Sequence, residues 1–472
     1  MIKNKTYLVL LTSLGLGACT VGPDYQAPQI SFVDKWFSSE SKRTTQDPID
    51  TKWWNNFNDP LLINYIEQAA INNKDVQIAT ANILRARAVK RESVSRLLPT
   101  ISNNSSAERS SSSDNIASFN GGDVRNLFDS GFDASWEIDF FGGTRREGEA
   151  AQARLDSAKA SYDDVMLTTL SDVARLYYEA RGLQKRIDIT QKNVTLFNQT
   201  YELIKKRLEV GEATQFDVAR ALGEYQTTQA RLPNLKADLQ STIFSLSVLL
   251  GQPPEALLDT MMTAQDLPPT LDIVPVGLRS DILRRRPDIK MAERELAAST
   301  ADIGVQTAEL FPKFFVTGDV GSQSRTFGDL FTAAGGLWSL GSVMQWSIFE
   351  GGAIRARIDI EKAENKAALA MHEKTILEAL ADVESALTRY GRELETRQKL
   401  EESVQSRLEA FSLVEKLLDA GEIDYLEVLD SQRDLTVSED NLVLSETQAV
   451  TKLIALYTAL GGGWTSKIPS SD

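Results

Sequence analysis

Gly131-Phe132-Asp133-Ala134-Ser135-Trp136-Glu137-Ile138-Asp139-Phe140 carries apolar side chains at every even position and small or acidic ones at every odd position. A period of two is the signature of a strand with one apolar and one polar face. The pattern recurs downstream, where Trp338, Leu340, Met344, Trp346 and Ile348 alternate with Ser339, Gly341, Gln345 and Ser347. Aromatic residues along the apolar side, with water-compatible residues opposite, describe a membrane barrel with lipid outside and water inside. Partner strands are expected after Pro99 and Pro312. Ser102 to Ser113 is strongly polar, whereas Phe314, Val316 and Val320 supply an apolar face. Hairpins are therefore expected over residues 100–141 and 313–349.

Working outward, the two hairpins belong to an internal repeat with a period of roughly 210 residues. Leu97-Leu98-Pro99 matches Leu310-Phe311-Pro312, and Gly142-Gly143 matches Gly351-Gly352. Leu208-Glu209-Val210-Gly211-Glu212 matches Leu418-Asp419-Ala420-Gly421-Glu422, and Leu249-Leu250-Gly251 matches Ala459-Leu460-Gly461. The repeats span 61–251 and 281–464. Between them, 252–280 is a joint in which Pro253, Pro254, Pro268, Pro269 and Pro275 rule out a continuous helix. Residues 465–472 form a tail.

Each repeat also holds an unusually long helical run. Pro is absent from Arg145 to Val210, enough for about 100 Å of unbroken helix at 1.5 Å per residue. Ile376, Leu380, Val383, Leu387, Tyr390 and Leu394 follow a 4-3-4-3-4 spacing, a coiled-coil seam. Met166, Leu170, Val173, Tyr177, Ala180 and Gln184 take the matching places in the first repeat. The fold class is thus a mixed α/β membrane protein. Two hairpins give four strands, and four cannot close a barrel, nor are open edges tolerated in lipid. Several chains must share one barrel; spacing alone does not choose between two and three.

Composition narrows the function. The 472 residues carry a net charge of −15 and 42% hydrophobic side chains, which supports a sizeable core and argues against nucleic-acid binding. Arg284-Arg285-Arg286 is a short basic run beside Pro287, read as a helix start. One cysteine (Cys19) and one histidine (His372) allow no intrachain disulfide and no Cys/His metal cluster. His372 lies in a charged helical stretch without a nucleophile elbow, so no enzyme, cofactor or metal site is expected.

The first 18 residues read as a secretory leader: Lys3 and Lys5, an apolar run from Tyr7 to Leu16, then Gly17-Ala18. That run is too short to span a bilayer. Leu16-Gly17-Ala18-Cys19 fits a bacterial lipobox, which makes Cys19 the expected lipidation site and the covalent lipid the only prosthetic group. Several acyl chains on one residue anchor stably. Thr20 is not the Asp that commonly retains lipoproteins at the inner membrane, which leaves the outer membrane of a Gram-negative cell as the expected address. Residues 19–60 then form an irregular, extended strap.

Further marks are Cys19-Thr20-Val21-Gly22-Pro23-Asp24-Tyr25, Trp53-Trp54 with Phe57 and Asp59-Pro60-Leu61, Arg285-Arg286-Pro287-Asp288 with Ala292-Glu293, and Ala459-Leu460-Gly461-Gly462-Gly463-Trp464. In this order they resemble the outer membrane factor family of TolC-like channels, and within it the efflux lipoprotein subgroup typified by OprM and NodT. The resemblance covers essentially the whole mature chain. It implies a homotrimer with a shared twelve-stranded outer-membrane barrel, continued by a long helical barrel through the periplasm. It also implies two partners, a periplasmic adaptor and an inner-membrane pump of the resistance-nodulation-division type. The function implied is passive conduction of drugs or other small solutes; a duct for protein secretion is the alternative on the same fold, and a poreless coiled-coil tether the third reading. By resemblance, Tyr425 to Arg433 forms the periplasmic tip, with Leu426 in an apolar ring, Asp430 in a carboxylate ring and Arg433 one turn on. Asp430 and Arg433, three residues apart, share a helix face and are expected to pair within one chain. The corresponding first-repeat stretch sets Asp217 opposite Glu427 and Arg220 opposite Asp430, so the repeats differ in charge there.

Overall fold

The computed structural model describes residues 20–28, 36–37, 44–45, 47, 50–111, 113, 124–268, 274–277 and 279–463. The leader, Cys19, Trp464 and the tail 465–472 lie outside the described residues. The chain divides into two compact units. One comprises Met1–Gln29, Asn82–Ala158 and Met291–Glu373; the other comprises Ile30–Ala81, Lys159–Lys290 and Lys374–Asp472.

The first unit holds the sheet. β1 (Thr100–Ser111), β2 (Val124–Ile138), β3 (Lys313–Ser324) and β4 (Gly336–Gln345) pair antiparallel in the order β1-β2-β3-β4. Register keeps one face apolar: Phe132 lies opposite Val320 and Val320 opposite Trp338, then Ala134, Gly318 and Leu340, then Ile138, Phe314 and Met344. The other face aligns Asp133, Asp319 and Ser339, although Phe315 and Val343 interrupt it near the helical end. Gly131 and Gly321 face each other so closely that a Cβ on Gly321 would stand 2.8 Å from the Gly131 Cα.

The strands are shorter than their alternation implied. β4 ends at Gln345 and β2 at Ile138, so Trp346, Ile348 and Phe140 lie beyond the ladder. The chain turns there for local reasons. The Trp346 indole donates to the Leu310 carbonyl at 3.0 Å, Phe140 N–H bonds back to Ile138 at 2.8 Å, and Gly142 and Gly352 take φ of 81° and 91°. Hydrophobic alternation reports a face, and that face outlasts the hydrogen bonding.

Helices flank each hairpin: α1 (Pro60–Asn72), α2 (Lys74–Ser95), α3 (Gly143–Glu209), α4 (Gln215–Gln229), α5 (Arg231–Leu249), α6 (Pro287–Ala308), α7 (Ala353–Asp419) and α8 (Tyr425–Ala459). α3 and α7 have 67 residues each, about 100 Å of helix. α4 and α5 together cover the length of α8 but break at Ala230, because Pro233 in the first turn of α5 has no N–H to continue the ladder. α1 starts cleanly: Pro60 needs no N–H at the first position, and the Asp59 carboxylate accepts from Leu61 and Leu62 N–H at 3.0 and 3.1 Å.

The second unit contains the main core. Both seams are buried in it: Ile376, Leu380, Val383, Leu387, Tyr390 and Leu394 from α7, with Leu170, Val173, Tyr177 and Ala180 from α3. The strap is less extended than its composition suggested. Trp53–Phe57 coils into a 3-10 turn because three of its five side chains insert into this core. Trp53 stacks on Tyr457 at 5.3 Å and donates to the Gly462 carbonyl at 3.2 Å. Arg286, from the basic run, donates to the Ala459 carbonyl at 3.0 Å and pairs with Asp288 at 2.7 Å. Sequence marks hundreds of residues apart thus close one another's backbone ends. Within the joint, Pro254–Leu257 is a 3-10 turn, Leu258–Met261 a single helical turn, and Val274–Pro275 pairs in parallel with Thr44–Thr45 of the strap.

Candidate functional site

Two regions carry chemistry suited to a duct. The first is the sheet. On its apolar face Phe132, Trp136, Val320, Trp338, Leu340 and Met344 are exposed, with Trp338 at 79% and Leu340 at 75%. Exposed apolar surface of this extent requires cover, by lipid or by another chain. From Phe128 to Ile138 the ten steps of β2 cover about 34 Å, or about 26 Å of height at the tilt usual for membrane barrels, which matches a hydrocarbon band. Aromatic residues mark both limits. At one end Trp136 and Trp346 donate to the Leu97 and Leu310 carbonyls at 2.9 and 3.0 Å; at the other Phe327 meets Phe128 at 5.7 Å and Phe331 at 6.4 Å. The opposite face is polar: Asn104 donates to Asp133 at 2.5 Å and Ser339 to Asp319.

The second region is the end of the second unit where α3 turns into α4 and α7 into α8. Both turns follow the same local rule. Gly211 (φ 82°) and Gly421 (φ 75°) take the left-handed conformation that stops a helix. The N–H groups of Gly211 and Glu212 cap the Leu208 and Arg207 carbonyls, and those of Gly421 and Glu422 cap Leu418 and Leu417. The next helices begin at Thr214 and Asp424, whose side chains accept from Asp217 N–H and Tyr425 N–H. Thr214, through its hydroxyl first and its N–H second, holds the Asp217 carboxyl below the usual carboxylate range. Behind these turns Tyr425, Val428 and Leu429 pack with Phe197, Ile204, Val218 and Phe411.

Asp430 and Arg433 come together as expected, at 3.4 Å. The shorter bond was not expected: Arg220 of α4 donates to Asp430 of α8 at 2.8 Å, and Arg433 reaches Glu224 at 3.9 Å. Four charges therefore alternate across two helices. The repeat alignment sets Arg220 opposite Asp430, and these two residues are the ones that meet across α4 and α8. Leu426, half-buried, lies in the first turn of α8, one turn before Asp430 on the same helix face. Gln432 was also missed. It is 1% exposed, Thr200 donates to its Oε1 at 3.3 Å, and its Nε2 has no partner among the described residues.

A lipid-compatible hairpin sheet and a charged helical tip on one chain agree with the comparison to known proteins. The model for outer membrane efflux proteins matches residues 65–252 and 278–462. The chain belongs to the outer membrane efflux protein family. It is 31% identical to nodulation protein T of Rhizobium leguminosarum bv. trifolii, over 98% of each chain. It is 32% identical to the pyoverdine export outer membrane protein OpmQ of Pseudomonas putida, over 100% of each. Among solved structures, the outer-membrane channel OprN superposes with a TM-score of 0.89 at 32% identity, covering 94% of this chain and 100% of that one.

Members of this efflux family are ducts, and this chain is not an enzyme. Among the described residues no group of three or more His, Cys, Asp or Glu side chains is placed to hold a metal ion. No described helix is long and apolar enough to cross a membrane. His372 is buried, and burial lowers its pKa against the opposing pull of Glu293 and Glu373.

Proposed function

We propose that this efflux-family chain is the outer-membrane exit channel of a tripartite system, built as a homotrimer with a twelve-stranded barrel. The observation that carries this reading is the linear order β1-β2-β3-β4, with the lipid-facing side chains on one face. Within the described residues β1 and β4 each have one ladder neighbour. Strand edges without a partner are untenable in hydrocarbon. Three copies supply twelve strands, enough for a water-filled lumen. The helices continue the duct through the periplasm toward an adaptor and a proton-driven inner-membrane pump, which supplies the energy. Relatives named for antibiotic efflux and for pyoverdine export favour small solutes over proteins as cargo.

In this reading Cys19 carries a diacylglyceryl thioether and an N-acyl chain that anchor the trimer. The Arg220–Asp430–Arg433–Glu224 cluster holds the periplasmic gate shut, with Leu426 narrowing the lumen. Purified protein in a planar bilayer tests the proposal. Discrete conductance from a particle whose detergent-corrected mass is three chains is the expected result. A water-soluble monomer without β signal by circular dichroism would overturn it.

A further inference from the structure

We propose that Arg146 and its neighbours form a seat for the first residues after Cys19, so that the lipid of the anchor is delivered to the rim of the sheet; this rests on the lipidation reading above. Three contacts fix the segment. Thr20 packs so tightly on Gly142 that a Cβ there would stand 2.6 Å from its Cγ2 and 2.8 Å from its Cα. Val21 N–H donates to the Phe141 carbonyl at 3.0 Å. Gly22, with φ +91°, lies against α6, where its Cβ would fall 2.4 Å from the Gly304 Cα. Neither Gly142 nor Gly22 tolerates a side chain.

Arg146, in the first turn of α3, closes the seat. Its side chain is 4% exposed, and its guanidinium spends its donors on the strap. Nε reaches the Val21 carbonyl at 3.2 Å, and Nη2 reaches the Gly22 carbonyl at 3.4 Å and Asp24 at 2.7 Å. Nη1 is held by Glu149 at 2.8 Å. Only the planar five-donor fork of arginine serves backbone and carboxylate acceptors together. Tyr25 then donates to Glu293 of α6 at 3.1 Å.

Geometry gives this seat a use beyond packing. Thr20 is held on Gly142, just past the short turn through Phe140 that follows the end of β2 at Ile138, and consecutive Cα atoms are about 3.8 Å apart, so the chain length alone keeps whatever Cys19 carries within reach of that turn. Were the strap free as far as Asp50, about 30 residues of flexible chain would let the anchor wander about 30 Å. Pinning Thr20 removes that freedom and raises the effective concentration of acyl chain at the rim as the sheet enters lipid. Arg146 is thus a positioning residue for the anchor.

The test uses the full chain in a Gram-negative host. Parent, Arg146→Gln, Cys19→Ser behind an ordinary cleavable leader, and the double variant are pulse-labelled. The fraction recovered from the outer membrane as heat-modifiable oligomer is followed during a chase, and palmitate incorporation is measured in parallel. With lipid present, Arg146→Gln is expected to slow assembly about fivefold; in the Cys19→Ser background it adds little. Asp24→Asn, which removes the exposed carboxylate's charge and leaves the buried arginine, is expected to show a smaller loss with the same dependence on lipid. Equal losses in both backgrounds, or none in either, would overturn the seat. Absence of palmitate from the parent would overturn the lipidation reading itself and the seat with it.

Discussion

Arg220 of α4 and Asp430 of α8, 210 residues apart in the chain, form an ion pair across the two helices. The pair is half-exposed, so about 0.2–1 kcal/mol per chain is the reasonable magnitude. In the proposed trimeric gate this would amount to about 1.5 kcal/mol, on the order of tenfold in the closed-to-open ratio. Arg220→Ala is expected to raise open probability in single-channel recordings by about that factor. The Asp430→Ala, Arg433→Ala double variant should do at least as much; unchanged gating in both would remove the cluster from any gating role. A second residue-scale effect concerns Asp163, whose carboxyl burial raises to about 6, Lys290 opposing. A raised folded-state pKa gives a contribution that is complete below about pH 4 and lost as pH climbs through about 6. Asp163→Asn should therefore raise the temperature of oligomer dissociation by a few degrees at pH 7.5 and leave it unchanged at pH 4. The Asp430–Arg433 pair was legible because i,i+3 neighbours share a helix face whatever the tertiary fold. The partner across the helix pair was not, since an alignment gives equivalence and only packing gives contact.

At the scale of elements, strand alternation identifies lipid-facing positions one by one. Leu340 and Ser339 are neighbours on β4 with opposite directions, one aligned with Gly318 and Ala134, the other with Asp319 and Asp133. Leu340→Arg should cost about 2–4 kcal/mol per chain near the bilayer midplane, seen as loss of heat-modifiable oligomer. Ser339→Arg faces water, so it should assemble normally and alter conductance instead. If both variants assembled equally well, the assignment of faces would be wrong. β2 and β4 were readable from sequence because large apolar residues mark one face. β1 was barely readable: Asn103 and Ser105 share that face, and ladder hydrogen bonds to β2 hold them there without hydrophobic help. The strand ends were unreadable, because indole bonds to Leu97 and Leu310 and left-handed glycines end the ladder while the apolar pattern continues. The seams of α3 and α7 were clear throughout, since a buried stripe over many turns leaves no other period.

For the whole molecule, the decisive question is which edge meets which. β1 and β4 are the sheet's outer strands, and closure by identical copies requires β1 of one to pair with β4 of the next. Head-to-tail pairing of this kind closes into a ring, so it fixes a copy number that no single chain reveals. The composition makes the question answerable. Cys19 is the only cysteine, and the thioether proposed there would leave the background free of competing thiols. Paired cysteines placed on the water-facing sides of the two edges, such as Asn104→Cys with Ser339→Cys and its neighbours two residues either way, sample the registers available to antiparallel strands. Oxidation at the correct register should give a ladder ending at three chains in denaturing gels, with the closed ring migrating apart from the linear trimer. A ladder ending at two would mean eight strands and a filled interior. Failure at every register would mean that these edges never meet, and the shared cylinder would have to be abandoned.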